Sequence, residues 1–250
     1  MRPVTAGGVP ALALGEDPAI LYLHGGGYAL GSAYGYRPLV GAFVAAADRG
    51  ALVPDFRLAP EHPFPAALHD ALAAYRWLVE QRGGASRVVL AGDSSGAGLA
   101  LGVLLSLRAA GEPMPAGAVL LCPSIDLSGA LLAPSDGPHL MDEMAGAAEA
   151  YLAGHPIDDP IVSPLLGDLS GLPPLLIQAG TGDRARPEAE ALADRAREHG
   201  AEARVALYAS DAHVFHVFWS FLPEAADALS QAGEFVREML PGEQATTRTG

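Results

Sequence analysis

The sequence predicts an α/β fold, a mostly parallel central sheet with helices on both faces. Three observations carry that prediction. Several short runs bounded by turn residues are apolar throughout, as strands covered on both faces must be. These runs alternate with longer stretches of helical period. Of the 250 residues, 50% are hydrophobic and only 18% charged, which suits one domain with a large core rather than a disordered chain.

The expected strands are 19–23, 51–54, 87–91, 118–122, 174–179 and 203–208, and the expected helices 38–47, 65–81, 96–109, 188–199 and 223–240. Residues 126–171 break the alternation: they are rich in Pro, Gly and Asp, with one helical stretch near 140–153. A structureless loop of that length is unusual in a compact domain, so the segment is expected to form an excursion over one face. Ligands of open α/β sheets bind at the carboxyl ends of the strands, where an excursion acts as a lid. Residues 243–250 read as a frayed polar tail.

The chain carries 15 basic and 29 acidic residues, a formal charge of −14. That balance repels phosphate backbones and anionic lipid surfaces, so no nucleic-acid or membrane partner is expected. A single cysteine, Cys122, excludes an internal disulfide and a cysteine-based metal site. Its place at the end of an apolar run suggests a small buried side chain rather than a reactive thiol. The start lacks the apolar stretch of a secretory signal, and no run of ~18 apolar residues occurs. A cytoplasmic protein is expected.

The strongest local signal is Gly92-Asp93-Ser94-Ser95-Gly96, between a strand and a helix. This G-x-S-x-G arrangement is the nucleophile elbow of hydrolases when it stands in that context. The sharp turn projects Ser94 above the sheet, and a Cβ on either flanking glycine would collide with nearby backbone. The following helix points its N–H groups at developing negative charge. The second signal is His24-Gly25-Gly26-Gly27-Tyr28, after strand 19–23. Consecutive glycines leave their N–H groups unshielded, and Gly25 and Gly26 are the expected oxyanion donors, joined by the N–H of Ser95. A tri-glycine loop can also cradle a phosphate, but the nucleotide-binding patterns are absent. His24 reads as a hydrogen-bonding member of the loop, because the base comes last in triads on this architecture.

The chain resembles the hormone-sensitive-lipase-like esterases of the α/β-hydrolase superfamily. The resemblance rests on His24-Gly25-Gly26-Gly27, on Asp55-Phe56-Arg57-Leu58-Ala59-Pro60-Glu61-His62-Pro63-Phe64-Pro65-Ala66-Ala67 and on Gly92-Asp93-Ser94-Ser95-Gly96. It continues through Ser163-Pro164-Leu165 and Leu172-Pro173-Pro174-Leu175-Leu176-Ile177-Gln178, and spans about residues 18 to 240. It implies an α/β-hydrolase fold with a small cap excursion, and carboxylic-ester hydrolysis with no cofactor or metal. The histidines after Ser94 are His139, His155, His199, His213 and His216. His213 follows strand 203–208 and matches the family's base; His216 is its rival. Asp183 follows strand 174–179 and matches the acid, which should orient the imidazole. The sequence departs from the family there with Arg184-Ala185-Arg186-Pro187, so an arginine could compete for Asp183 and Glu188 is a substitute acid. Asp93 reads as structural, as do Arg57 and His62.

Eighteen residues precede Ala19, fewer than the resemblance implies, so the cap is expected mainly from 126–171 and the pocket to be open. The expected reaction is cleavage of a small ester, short in its acyl chain, by Ser94, His213 and Asp183, in a possible homodimer. An acyltransferase, amidase or lactonase would use the same three residues. A non-catalytic receptor on this fold would be expected to lack one of them.

Overall fold

The computed structural model describes residues 1–131 and 138–241. Among the described residues, eight strands form one sheet: β1 Arg2–Ala6, β2 Val9–Leu14, β3 Pro18–Leu23, β4 Gly50–Pro54, β5 Val89–Asp93, β6 Gly117–Leu121, β7 Leu175–Gly180 and β8 Ala203–Tyr208. Six α-helices accompany them in the same residues: α1 Ala33–Ala47, α2 Ala66–Arg82, α3 Ser95–Ala110, α4 Pro138–Leu152, α5 Arg186–Glu198 and α6 Pro223–Met239. The spatial order is β1-β2-β4-β3-β5-β6-β7-β8, with β4 through β8 of that order mutually parallel and β2 antiparallel to both β1 and β4. This is the α/β-hydrolase fold.

Alternating side chains divide the core. Leu21, Leu23, Leu90 and Leu120 pack with Leu72 of α2, Leu101 of α3 and Leu192 of α5. Ile20, Tyr22, Val89, Val119 and Leu121 face the other way, onto Val40 and Phe43 of α1 and Leu229 and Val236 of α6. The period of two in each strand therefore feeds two apolar layers, which explains why the strands are apolar throughout.

The hairpin β1–β2 is absent from the sequence expectation. Its two-residue turn is Gly7-Gly8, with φ of 60° and 90° between the paired residues Ala6 and Val9. Such positive angles at both central residues match the twist of a hairpin and favour glycine. Helix α1 also starts five residues earlier than residue 38. Ser32 caps it, accepting from the Gly35 N–H at 3.1 Å. Pro38 leaves the Tyr34 carbonyl without its helical donor, and Arg37 Nη1 supplies one at 2.5 Å. Strand β5 runs two residues later than expected, because residues 85–87 form a 3-10 turn.

Within the excursion, α4 lies against the glycine loop: a Cβ on Gly27 would stand 3.5 Å from Ala147. The Tyr151 ring stacks on Tyr28 with centroids 3.8 Å apart and planes within 7°. Among the described residues, no helix is long and apolar enough to cross a membrane. The tail 243–250 lies outside the described residues.

Candidate active site

Strand β5 ends at Asp93 and α3 begins at Ser95, so Ser94 occupies the sharp turn between them. Its backbone has φ 51° and ψ −124°, a conformation L-residues rarely adopt and one that concentrates at functional sites. A Cβ on Gly92 would lie 2.5 Å from the Gly96 carbonyl oxygen, and one on Gly96 would strike the Leu23 carbonyl. Only glycine fits either place. The turn is held by the Ser94 N–H, which donates to the Leu121 carbonyl at 2.9 Å.

The loops after β7 and β8 bring two side chains to this point. His213 Nε2 lies 2.9 Å from Ser94 Oγ, and His213 Nδ1 lies 2.9 Å from Asp183 Oδ1. The Asp183 side chain is fully buried, and its Oδ1 also accepts from the Ala185 N–H at 3.0 Å. Burial alone would raise the Asp183 carboxyl. The bond to His213 and its charge, with the Cys122 thiol and the Ala185 N–H, hold it below the usual carboxylate value. Arg186 does not compete for Asp183: its Nε pairs with Glu190 at 3.0 Å.

The glycine loop departs from expectation at one residue. The Gly25 N–H donates to Asp93 Oδ1 at 3.1 Å, so this donor is engaged inside the protein rather than open to an oxyanion. Among the described residues, the N–H groups of Gly26, Gly27 and Ser95 have no acceptor. The Gly26 carbonyl accepts from the Leu30 N–H at 2.9 Å, closing the loop on itself, and Tyr28 N–H donates to Ser95 Oγ at 3.3 Å. Asp93 is the anchor that sequence reasoning left without partners. It is fully buried and also accepts from Tyr22 Oη at 2.8 Å and Tyr36 Oη at 3.1 Å. Burial outweighs these donors and raises its carboxyl to about 6.

The remaining candidates stand elsewhere. Glu188 is buried on the first turn of α5, where its Oε2 accepts from the N–H groups of Ile125 at 2.5 Å and Asp126 at 3.0 Å. Burial raises its carboxyl to about 7 against those bonds. It therefore fixes the start of the excursion instead of orienting His213. His216 is buried and bonds through Nε2 to Gln178 Oε1 at 3.1 Å, and burial pushes it down to about 3. His155 pairs with Asp159, and His199 Nδ1 accepts from the Leu169 N–H. The His139 side chain lies outside the described residues. His24 is sandwiched between Tyr36 and Phe56, with Nδ1 2.9 Å from the Gly25 carbonyl, as a loop member should be. Arg57 forms a two-point pair with Asp70.

Residues 20–217 match a family described as having the alpha/beta hydrolase fold. Among curated relatives, an acetyl-hydrolase of Streptomyces hygroscopicus is 44% identical over 227 residues, covering 89% of this chain and 76% of the relative. An esterase of Acinetobacter venetianus is 31% identical, covering 96% of this chain and 82% of its own. Among solved structures, EstE5 soaked with p-nitrophenyl butyrate superposes with a TM-score of 0.89 at 38% identity, covering 96% of this chain and 85% of that one. An esterase of the bacterial hormone-sensitive lipase family gives the same TM-score and identity, covering 96% of this chain and 84% of its own. A shared fold, a matched family and this degree of identity lead to one conclusion: the chain belongs to the α/β-hydrolase-fold family, among the esterases related to hormone-sensitive lipase.

Proposed function

We propose that this protein hydrolyses small carboxylic esters with short acyl chains through an acyl-enzyme on Ser94. The observation that carries the reading is the continuous line from Asp183 to His213 to Ser94, 2.9 Å at each step, beside unengaged backbone N–H groups. The esterase and acetyl-hydrolase names of the relatives, and the soaked butyrate ester of EstE5, support the substrate class.

In this reading His213 Nε2 removes the Ser94 proton as Oγ attacks the acyl carbon. Asp183 keeps the other ring nitrogen protonated and steadies the imidazolium. The N–H groups of Gly26 and Ser95 receive the oxyanion, with Gly27 taking the part the sequence assigns to Gly25. The proton passes to the departing alkoxide, leaving an acyl-Ser94 ester. A water then attacks, giving its proton to His213, and the acid leaves as Oγ is reprotonated. Helix α4, over the donors, acts as the cap.

The test is a series of p-nitrophenyl esters of increasing acyl length with wild type and Ser94→Ala. Turnover greatest at acetate to butyrate, and lost in a still-folded Ser94→Ala, is expected. Undiminished cleavage by that variant would end the assignment, and stoichiometric labelling of Ser94 by an organophosphonate checks it independently. Product analysis with competing alcohols separates hydrolysis from acyl transfer.

A further inference from the structure

The Arg37 guanidinium lies over the Tyr34 ring, 3.6 Å from its centroid, and Nη1 donates to the Tyr34 carbonyl. Both contacts hold the side chain in place, and neither neutralises its charge. Arg57, Arg76, Arg82 and Arg204 each reach a carboxylate, whereas among the described residues Arg37 reaches none. In a chain with 29 acidic and 15 basic residues, a held cation with no acidic partner is available to an anion from outside.

This cation stands at the α1 N-terminal end of a groove between α1 and α6, about 500 Å³ in volume. Pro38, Gly41 and Ala45, three or four residues apart and so on one face of α1, form one wall; Ala226 and Leu229 of α6 form the other. Trp219, 38% exposed, adds an aromatic face. None of the residues lining the groove is acidic. From Arg37 to Ala45 the helix rises about 12 Å, the reach of an unbranched tail of roughly eight carbons. A Cβ added at Gly41 meets nothing within 4 Å, so the middle of the groove is open.

We propose that this groove binds an unbranched alkyl carboxylate of medium length, its carboxylate on Arg37 and its tail along Gly41, Ala45, Trp219 and Leu229. Charge complementarity and shape together select that class. A short acid such as acetate pairs with Arg37 and leaves the apolar walls in water, where burying them is favourable. An uncharged lipid covers the walls and leaves Arg37 without an anion. The formal charge of −14 repels an anionic membrane far more than it repels one monomeric acid. Ser94, Asp183 and His213 do not line the groove, so the inference stands apart from the hydrolytic reading.

The experiment titrates octanoate and octan-1-ol, each below its aggregation limit, into the full chain by calorimetry, with wild type, Gly41→Leu and Arg37→Gln compared. Wild type is expected to bind one octanoate with a Kd of about 0.1 to 1 mM, within reach of a ligand of about ten non-hydrogen atoms. Gly41→Leu fills the groove from a position with free space and should weaken octanoate more than about tenfold, with Tm unchanged or raised. Arg37→Gln should weaken octanoate about two- to fivefold, as loss of an exposed ion pair does, and leave octan-1-ol as it was. The proposal is overturned if wild type shows no saturable octanoate binding, if Gly41→Leu binds it undiminished, or if Arg37→Gln loses both ligands alike. Binding abolished by an organophosphonate on Ser94 would put octanoate in the active site, and a dimer that Gly41→Leu dissociates would give the groove to a second copy; either outcome also overturns it. Should Gly41→Leu fail to fold, Arg37→Gln with the two ligands carries the test alone. Turnover of p-nitrophenyl acetate reports on Ser94 and not on the groove, so the two readings fail separately.

Discussion

The Gly25 N–H donates to Asp93 Oδ1 at 3.1 Å, so the residue beside the candidate nucleophile ties down the loop facing it. Two phenols complete the tie, from Tyr22 beneath and Tyr36 on α1. The elbow and the glycine loop are thus one rigid unit, joined through a buried charge.

That charge has a calculable effect on stability. The Asp93 carboxyl is raised to about 6 in the fold, from 3.8. A raised acid stabilises the fold fully below its unfolded value, and that contribution is lost as pH climbs through the folded one. Ionised Asp93 therefore costs stability at neutral pH, of order 3 kcal/mol at about 1.4 kcal/mol per unit. Asp93→Asn keeps the acceptor for Tyr22 and Gly25 and loses the charge. The variant is expected to melt at or above wild type at pH 7, with the difference developing between about pH 4 and pH 6. Its kcat should fall, because the neutral amide holds the loop less tightly. Parallel melting curves and esterase assays across that range check both.

The rival histidines separate cleanly. His213→Ala removes the group at 2.9 Å from Ser94 and should abolish turnover with little change in folding. His216 is buried, bonded to Gln178 and pushed down to about 3, so it stays neutral. His216→Ala should instead lower Tm, leaving a cavity and Gln178 Oε1 without its imidazole partner, while the residual folded enzyme retains most of its kcat. Activity normalised to the organophosphonate-labelled fraction distinguishes the two.

Much of this was legible in the chain. Runs such as Leu120-Leu121 and Leu175-Leu176 announce strands covered on both faces, and Gly92-Asp93-Ser94-Ser95-Gly96 between a strand and a helix announces the elbow. The β1–β2 hairpin was not, because Arg2 and Pro3 on an exposed edge dilute its apolar signal. Its one local sign is Gly7-Gly8, a two-residue hairpin turn. The identity of the free donors was not legible either. Which glycine N–H turns inward depends on Asp93, whose partners Tyr22 and Tyr36 lie 71 and 57 residues away in sequence. Periodicity reports that a residue is buried, but not which distant polar group meets it.

The stacked rings of Tyr28 and Tyr151 hold α4 over the loop, and the Tyr151 carbonyl accepts from the Phe64 N–H at 2.7 Å. The backbone bond survives substitution; the stack does not. Tyr151→Ala should loosen the cap, lowering Tm and raising KM several-fold with a smaller change in kcat. Tyr151→Phe keeps the ring and should behave as wild type. Equal KM values for the two variants would count against a role of the stack in seating substrate.

Asp183 and Glu188 are both buried acids near the carboxyl ends of β6 and β7, and isosteric amides assign them. Asp183→Asn places an N–H or a weak acceptor where His213 Nδ1 needs a carboxylate, so it favours the wrong tautomer and should cost on the order of 10⁴ in kcat. Glu188 Oε2 accepts from the backbone N–H groups of Ile125 and Asp126, with the Arg184 charge acting on the same carboxyl, and an amide oxygen serves the two N–H groups equally well. Glu188→Gln should therefore retain near-wild-type kcat. It should also gain stability at neutral pH, since a carboxyl raised to about 7 from 4.5 progressively destabilises the fold across that interval. Glu188→Ala leaves both N–H groups buried without an acceptor, at about 1–3 kcal/mol each, and should unfold at markedly lower temperature. A large loss of kcat in a well-folded Glu188→Gln would place Glu188 in the proton-transfer path and displace Asp183 from it.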